Sequence, residues 1–311
     1  MKMKNSLMRS INSSSKLVQR AVVVVLVLAI LLLSFLFIKY VLTDYNRSSD
    51  AVKVTKLFHY QLQDARYEEL KTLVVDYLIV DPDDAQLPAT EITSLKNDGK
   101  TVLAYLSIGE AEDYRDYWEG SWQTGSPSFI DRENPEWPGN YKVKYWEPTW
   151  QDIILGKVEN ITSLGYSGVY LDIIDAYEYY HERGHVNAAL DMINFVRLIK
   201  ETGGNINADF LIVPQNAPEL YDFAEYRELV DGLGKEDTWY NDNSSQDAEM
   251  TNQELKYLDQ AVTDNKFVLA IDYPTGKNEI CKFYRQCTEH NFYCSISNRD
   301  LDQVRPPVCL D

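Results

Sequence analysis

The sequence predicts an α/β protein, a (β/α)8 TIM barrel preceded by one N-terminal transmembrane helix. Two observations predict the barrel: eight short apolar runs follow one another after residue 55, and amphipathic stretches separate most of them. A third observation, a long uncharged apolar segment near the N-terminus, predicts the transmembrane helix.

The N-terminal apolar segment covers Ala21–Ile38 and contains no charged residue. With residues 40–42 it is long enough for one membrane-spanning helix over residues 21–42. Basic residues and no acidic residue occur in residues 1–20, so the positive-inside rule keeps this end in the cytoplasm. We therefore expect a single-pass protein of the cell membrane, with a linker over residues 43–55 and an extracellular domain over 56–311. A cleaved signal peptide is the alternative.

The charge of the chain limits its partners. The sequence has 48 acidic and 30 basic residues and a net charge of −18, and every acidic residue lies at or after Asp44. Such a domain repels nucleic acid and attracts cationic substrates. We therefore expect no nucleic-acid partner.

The eight apolar runs have the length and composition of strands that are buried on both faces. They are Lys56–Tyr60, Leu73–Val80, Thr101–Ile108, Gly168–Ile173, Phe210–Val213, Leu229–Gly234, Phe267–Ile271 and Phe292–Ile296.

The intervening stretches carry apolar residues at three- and four-residue spacing, which predicts helices. They are Leu87–Asn97, Thr149–Leu164, Val186–Glu201, Pro218–Glu228, Asp247–Asp264 and Glu279–His290. Strands that alternate with helices form parallel sheets, so a closed barrel is predicted and an open doubly wound sheet is the alternative.

Polar residues follow almost every predicted strand. In a barrel these strand ends form the active-site face, and a ring of carboxylates there is suited to glycoside hydrolysis. The predicted substrate-binding residues are Gln61, Asp81, Glu110, Asp175, Tyr177, Gln215, Asn216, Trp239, Asp272 and Tyr273. No metal and no cofactor are expected.

The sequence resembles glycoside hydrolase family 114, the endo-α-1,4-polygalactosaminidases. The resemblance rests on Gly168–Tyr177, which reads GVYLDIIDAY, and on further motifs in the same order along the chain. These are Tyr60–Gln63, Val80–Asp83, Ala104–Glu110, Pro214–Asn216, Gly234–Glu236 and Asn298–Asp302.

This resemblance implies a barrel that cleaves galactosamine-containing polysaccharide at the cell surface. It implies Asp172 and Glu236 as the catalytic pair, and we assign Asp172 as nucleophile and Glu236 as acid/base. Structural roles compete with these assignments: Asp172 as a helix cap, Glu236 as the ion-pair partner of Lys235, and Asp81 as a turn residue before Pro82.

An aromatic connection joins the third strand to the helix near Thr149. Five of the six tryptophans lie between residues 118 and 150, among them Trp118, Trp122 and Trp137. Aromatic faces stack on sugar rings and attract cationic amines. Packing into a small hydrophobic cluster is the alternative.

Two further motifs remain open. His181–His185 matches HExxH, a zinc peptidase pattern when it lies on a helix, although Gly184 disfavours that helix. Four cysteines near the C-terminus, Cys281, Cys287, Cys294 and Cys309, predict two disulfides. A helix over 277–290 would keep Cys281 and Cys287 apart, which leaves a crossed and a nested pairing. A hydrolase of the same fold acting on another glycan and a non-catalytic carbohydrate-binding barrel also remain as alternatives.

Overall fold

The computed structural model describes residues 30, 32–39, 54–305 and 309, and the chain divides into two units, Met1–Ala51 and Val52–Asp311. Among these described residues, no helix has both the length and the apolar character that crossing a membrane requires. The predicted cytoplasmic segment, anchor and linker lie wholly or mostly outside the described residues. The remaining description concerns the second unit.

The strands fall into a barrel and two small additions. In chain order they are β1 (Phe58–Gln61), β2 (Tyr77–Val80), β3 (Thr101–Ser107), β4 (Glu110–Glu112), β5 (Ile130–Glu133), β6 (Asn140–Val143), β7 (Gly168–Asp172), β8 (Leu211–Pro214), β9 (Gly232–Glu236), β10 (Tyr240–Asn241), β11 (Ser244–Ser245), β12 (Phe267–Asp272) and β13 (Tyr293–Ile296).

Eight parallel strands close into a ring. One sheet has the order β1-β2-β3-β7-β8 and another the order β9-β12-β13. A parallel bridge between Gln215 and Gly234 joins β8 to β9, and another between Leu57 and Cys294 joins β13 to β1. The predicted barrel is therefore observed, and the open doubly wound sheet is wrong.

Helices cover the outside of the barrel. They are α1 (Tyr67–Thr72), α2 (Pro82–Ala85), α3 (Ala89–Asn97), α4 (Pro148–Leu164), α5 (Ala176–Glu182), α6 (Ala188–Ile206), α7 (Ala224–Leu229), α8 (Ala248–Thr263) and α9 (Lys277–Glu289), with a 3-10 turn at Pro218–Asp222.

Two apolar layers hold the fold together. The larger lies between the helices and the outer face of the strands, and includes Ile154, Val158 and Ile199. The smaller fills the barrel interior with Phe58, Ile79 and other side chains of alternating strand positions. This alternation places one set of side chains towards the helices and the other towards the barrel axis.

The structure corrects several predicted bounds. The strand expected from Leu73 begins only at Tyr77, because Leu73 caps α1. The helix expected over Pro218–Glu228 is a 3-10 turn and a short α-helix, because Phe223 between them has extended backbone angles. The sequence prediction also missed the short helices α1, α2 and α5.

An antiparallel sheet, β4-β6-β5, is built from the aromatic connection between β3 and α4. The sequence prediction did not identify these strands, because their residues are largely polar. The sheet stands at the carboxyl end of the barrel and brings Glu110, Glu112 and Asn140 to its mouth.

The two predicted disulfides are present in the nested pairing. Cys281 pairs with Cys309 and Cys287 pairs with Cys294, with Cα–Cα distances of 5.5 and 6.0 Å. Cys281 and Cys287 both lie on α9, which keeps them from pairing with each other, as predicted.

Candidate active site

A cavity of about 590 Å³ opens at the carboxyl ends of the barrel strands. Its walls are formed by residues at or just after β1, β2, β3, β7, β8, β9, β12 and β13, together with the β4–β6 sheet. The location is that expected for the active site of this fold. Asp172 and Glu236 both line it.

Asp172 is the last residue of β7 and is held by two donors. The hydroxyl of Tyr105 donates to its Oδ2 at 2.7 Å, and the backbone N–H of Ile173 donates to its Oδ1 at 2.8 Å. The carboxyl therefore has a fixed orientation at the base of the cavity. It does not cap α5, whose N-cap is Asp175.

Glu236 is the last residue of β9 and is also held by two donors. The hydroxyl of Tyr273 and the side-chain amide of Gln215 each donate to one of its carboxyl oxygens. Its backbone N–H donates to Oδ1 of Asn216 at 3.2 Å. Lys235 pairs with Glu254 instead, so the expected competing ion pair of Glu236 is not formed.

Burial raises the pKa of both carboxyls, and the charge of Glu236 raises that of Asp172 further. Burial, followed by the charge of Glu236, raises the pKa of Asp172 to about 8, against the lowering effect of its hydrogen bonds. Burial raises the pKa of Glu236 as well, opposed chiefly by the Tyr273 hydrogen bond. Both carboxyls therefore hold a proton more readily than a carboxyl in water does.

Tyrosine rings form the floor beneath this pair. Tyr60 packs against Tyr105 and Tyr170, with ring centroids 6.4 and 5.2 Å away. The hydroxyl of Tyr60 donates to Oε1 of Gln215 at 3.1 Å, which fixes the amide that binds Glu236. The floor excludes water and orients both carboxyls.

Backbone strain occurs at the three strand ends that carry the site. Ile173 after β7, Asn216 after β8 and Asp237 after β9 have φ of 58°, 62° and 51°. A β-branched residue such as Ile173 rarely adopts this conformation. Strain of this kind clusters at functional sites, and here it turns the Ile173 N–H onto Asp172.

Six of the ten predicted substrate-binding residues line the cavity. They are Asp81, Glu110, Asp175, Gln215, Asn216 and Tyr273. Gln215 and Tyr273 are bonded to Glu236. Asp81 also caps α2 and pairs with Arg115 at 2.7 Å, so its expected turn role is present beside its place in the wall.

Four predicted substrate-binding residues do not line the cavity. The side chain of Gln61 is buried and bonds to His59 and to the backbone of Gln63. The hydroxyl of Tyr177 donates to Glu219, and Tyr177 is not among the residues that line the cavity. These two side chains leave the cavity because nearer protein partners satisfy their polar groups.

Asp272 and Trp239 form one structural unit outside the cavity. The fully buried carboxyl of Asp272 accepts the backbone N–H groups of Thr238, Trp239 and Tyr240 at 2.7, 3.0 and 2.9 Å. The Trp239 ring packs on Phe283. The assignment of both to substrate contact is therefore corrected: they shape the loop after Glu236.

The aromatic connection divides into a packed part and an exposed part. Trp118 and Trp122 pack together with a ring-centroid distance of 5.4 Å, and Trp122 also packs on Phe129. Trp137 is 62% exposed and Tyr114 is 63% exposed, and both line the cavity. The packing role is therefore observed for Trp118 and Trp122, and contact of Trp137 and Tyr114 with sugar rings stays a prediction.

The HExxH motif does not form a zinc site. Helix α5 ends at Glu182, between the two histidines, and Gly184 has φ of +92°. His185 bonds to Asp191 at 2.7 Å and stacks on Trp146. Within the part of the chain that the structure describes, no group of three His, Cys, Asp or Glu side chains is arranged to hold a metal ion.

Several residues of the site were missed by the sequence analysis. Tyr105 and Tyr170 are paired in register, and each lies two positions before the end of its strand, β3 or β7. Two tyrosines at the same distance from the ends of neighbouring strands could have been predicted to lie together below the site. Arg115 lies in the wall but comes from a loop, where no periodic pattern marks it. Arg299 also lies in the wall and belongs to the Asn298–Asp302 motif, which gave it no role of its own.

Comparisons with known proteins agree with this site. The sequence profile described as glycoside-hydrolase family GH114 matches residues 42–309. An uncharacterised protein of Methanocaldococcus jannaschii is 36% identical over 283 residues, which cover 85% of this chain and 81% of the relative. An uncharacterised protein of Thermotoga maritima is 32% identical over 276 residues, covering 81% and 85%.

Solved structures share the fold at lower identity. The glycoside hydrolase domain of PelA from Pseudomonas aeruginosa has a TM-score of 0.66 and 15% identity, over 81% of this chain and 98% of that domain. Ega3 of Aspergillus fumigatus, solved with galactosamine, has a TM-score of 0.63 and 18% identity, over 82% and 95%. The profile match spans nearly the whole described domain, and the chain belongs to glycoside hydrolase family GH114, the members of which hydrolyse O-glycosyl bonds.

Proposed function

We propose that the protein cleaves internal bonds of galactosamine-containing polysaccharide, with Asp172 and Glu236 as the two catalytic carboxyls. The observation that carries the proposal is this pair of buried, coupled carboxyls, which end β7 and β9 and line one cavity. Glycoside hydrolysis requires one carboxyl to protonate the leaving oxygen and another to act as nucleophile or base.

The charge of the cavity supports an amino sugar as substrate. Among the described residues, nine carboxyl side chains and two guanidinium groups line the cavity. Such walls attract a polymer that carries protonated amino groups and repel anionic glycans. The exposed faces of Trp137 and Tyr114 offer stacking platforms for sugar rings. Galactosamine is also the sugar bound in the Ega3 structure.

Our proposal gives Asp172 the role of nucleophile and Glu236 that of acid/base. In the ligand-free site the pKa of Asp172, about 8, leaves its proton in place at neutral pH. An ammonium group of the substrate near Asp172 favours the ionised carboxylate. The pair then keeps its proton on Glu236, where it can be donated to the leaving oxygen.

The reversed roles, with Asp172 as acid, are favoured by that same high pKa and are distinguished by azide rescue. An activated α-galactosaminide is given to Asp172→Gly and to Glu236→Ala with azide, because these smaller side chains leave room for the azide ion. We expect the Asp172 variant to yield the β-azide, because azide replaces the nucleophile. The Glu236 variant should yield the α-azide through the covalent intermediate. The opposite pairing of products contradicts our roles.

A panel of glycans tests the substrate. The protein is incubated with α-1,4-galactosaminan, its fully N-acetylated form, and a neutral α-1,4-glucan, and new reducing ends are measured. We expect fastest release from the deacetylated polymer, with a KM that rises with salt. Hydrolysis of the neutral glucan alone would support the same fold acting on another glycan. Binding without release would support a carbohydrate-binding barrel.

We propose further that residues 21–42 anchor the domain to the cell membrane, with residues 1–20 in the cytoplasm. The uncharged run Ala21–Ile38 and the basic residues before it support this topology. Fractionation of cells tests it: the full chain should sediment with membranes and resist carbonate extraction, whereas a chain lacking residues 1–42 should not. A mature N-terminus after residue 38 contradicts a retained anchor.

A further inference from the structure

We propose that Arg299 is a positioning residue that fixes Glu236 in its reactive orientation. Arg299 follows β13, lines the cavity and contacts both the loop after β9 and the ring of Tyr273. Neither the family resemblance nor the strand-end pattern assigns it a role. The proposal rests on the catalytic role of Glu236 proposed above.

The guanidinium group of Arg299 binds the loop after β9 through three residues. Its Nη1 and Nη2 donate to the two carboxyl oxygens of Asp237, each at 2.8 Å. Nη2 also donates to Asn241 at 2.8 Å, and Nε donates to Asp242 at 3.0 Å. A two-pronged contact of this kind fixes orientation as well as distance, and lysine cannot reproduce it.

Arg299 also lies over the ring that holds Glu236. Its guanidinium carbon is 4.5 Å from the ring centroid of Tyr273, whose hydroxyl donates to Oε1 of Glu236. The guanidinium group of Arg299 thus lies over the face of Tyr273, while its two Nη atoms bind the carboxyl of Asp237, the residue directly after Glu236. Arg299 thereby restrains Glu236 in two ways. It holds the backbone that follows Glu236, and it holds the tyrosine ring whose hydroxyl binds the Glu236 carboxyl.

The backbone at this point needs such a restraint. Asp237 has φ of 51°, an unfavourable conformation for a residue with a side chain. Its N–H donates to the carbonyl of Ile271 at 3.0 Å, and its carboxyl receives the Arg299 fork. The carbonyl of Asp237 accepts the side-chain amide of Gln246 at 3.0 Å. Loss of Arg299 leaves the Asp237 carboxyl without its two hydrogen bonds, and we expect Glu236 to move with it.

The charged groups around Glu236 give this restraint a measurable signature. Lys235 precedes it on β9 and Asp237 follows β9. Tyr273 follows β12, Asp172 and Tyr170 lie on β7, and Tyr60 lies on β1. The Tyr273 hydrogen bond, Lys235 and Arg299 lower the pKa of Glu236, whereas burial and Asp237 raise it. Loss of Arg299 removes one cation, leaves Asp237 uncompensated and loosens Tyr273, so all three changes raise that pKa.

The test compares Arg299→Met, Arg299→Lys and a matched control, Arg197→Met, in the purified full-length protein. Arg197 lies on the outer helix α6 and pairs with Glu225 at the surface. Carbon-13 NMR of labelled glutamate carboxyls gives the pKa of Glu236 without any substrate, and Glu236→Gln identifies its signal. Initial rates on galactosaminan give kcat and KM.

We expect Arg299→Met to raise the pKa of Glu236 by about one unit and to lower kcat roughly 10- to 100-fold. KM should change less than kcat, because the residue acts on Glu236 rather than on bound sugar. Arg299→Lys keeps the charge but loses the fork, so its Glu236 should titrate between wild type and Arg299→Met. Arg197→Met should match wild type in both readouts.

Two results overturn the proposal. A lower kcat with an unchanged Glu236 titration indicates a general structural clamp. A kcat within twofold of wild type in Arg299→Met shows that no positioning is needed. If the wild type cleaves no galactosaminan, the proposed substrate fails, while the NMR titration still decides whether Arg299 acts on Glu236.

Discussion

At the scale of single residues, the site consists of two carboxyls that differ in their donors. Asp172 is bound by a phenol and a backbone N–H, and Glu236 by a phenol and a side-chain amide. Each donor favours the ionised form, and burial favours the protonated form. The balance raises the pKa of both carboxyls and brings that of Asp172 to about 8, close to the pH at which proton transfer is most effective.

Removal of the Tyr105 hydroxyl should shift this balance. The Tyr105 hydrogen bond lowers the pKa of Asp172, so Tyr105→Phe should raise that pKa above its value of about 8. We expect activity at pH 7 to fall about 10-fold and the limb of the pH–rate profile that reports Asp172 to move to higher pH.

Tyr170→Phe is the matched control for this prediction. The Tyr170 hydroxyl is buried in the same floor and has no hydrogen-bond partner among the described residues. Its removal should leave the pH–rate profile in place, since no donor to either carboxyl is lost. An equal shift in both variants would show that the floor acts through packing rather than through the Tyr105 hydrogen bond.

The protonation of Asp172 also predicts a pH-dependent stability. A carboxyl with a higher pKa in the folded chain binds its proton more tightly there, so folding stability falls as pH rises from the ordinary Asp range, about 4, to about 8. Asp172→Asn removes this loss. We expect the variant to be more stable than wild type at pH 8 by about 1–3 kcal/mol, and by less at pH 5.

Thermal unfolding at both pH values measures this difference. The variant and the wild type are compared in the same buffers, and activity is measured in parallel to verify that catalysis is lost. A stability difference that is the same at pH 5 and pH 8 would contradict a raised pKa for Asp172.

The sequence places Asp172 and Glu236 at the ends of apolar strands, and the family resemblance distinguishes them as the proposed catalytic pair. The partners were harder to predict. Asp272 also ends a strand, yet it binds backbone N–H groups instead of facing the cavity. The position of a residue in the sequence shows at which end of the barrel its side chain lies. It does not show which nearby hydrogen-bond donor the side chain binds.

At the scale of elements, close contact between the β3 and β7 loops positions Asp172. A Cβ on Gly109, just after β3, would overlap the carbonyl of Ile173 and the side chain of Ala176. Ile173 is the strained residue that donates to Asp172. Gly109 therefore permits the approach that fixes Asp172, the proposed nucleophile.

Gly109→Ala should destabilise the protein by about 1–3 kcal/mol and reduce activity more than its stability loss explains. The matched control is Gly156→Ala on the exposed face of α4, where a Cβ meets nothing within 4 Å. That change should stabilise by about 0.5–1 kcal/mol. Chemical denaturation and initial rates measure both effects. Equal stability of the two variants would contradict the close approach.

The barrel strands were predictable because they are short, mainly apolar runs that contain few turn-forming residues. The β4–β6 sheet was not, since its strands carry charged residues on the side that faces the cavity. Short helices such as α1, with Leu70 as its one buried residue among those described, have too little periodicity to be recognised.

At the scale of the whole molecule, two disulfides secure the end of the barrel domain. Cys287–Cys294 joins α9 to β13, and Cys281–Cys309 ties the C-terminal segment back to α9. The sequence left both the crossed and the nested disulfide pairing possible. Only the position of Cys309 in the folded chain distinguishes the two pairings. Both bonds constrain the unfolded chain more than the folded one.

Loss of each disulfide should destabilise according to the loop that it closes. The sequence separations are 28 residues for Cys281–Cys309 and 7 for Cys287–Cys294. Pairwise replacement by alanine should cost about 3–4 and about 2–3 kcal/mol respectively. Denaturant titration of the two double variants measures the costs. A larger loss from the shorter loop would contradict the chain-entropy account and point to packing of the buried Cys287.

The central proposal is that this chain hydrolyses an amino-sugar polymer through Asp172 and Glu236. The acidic charge of the domain, the cavity and the carboxyl pair all support it. Reducing-end release from α-1,4-galactosaminan by the purified full-length protein, with Asp172→Asn and Glu236→Gln as folded comparisons, tests it most directly. We predict release by the wild type and a loss of about 10³-fold or more in each variant. Wild-type rates in either folded variant would contradict the claim.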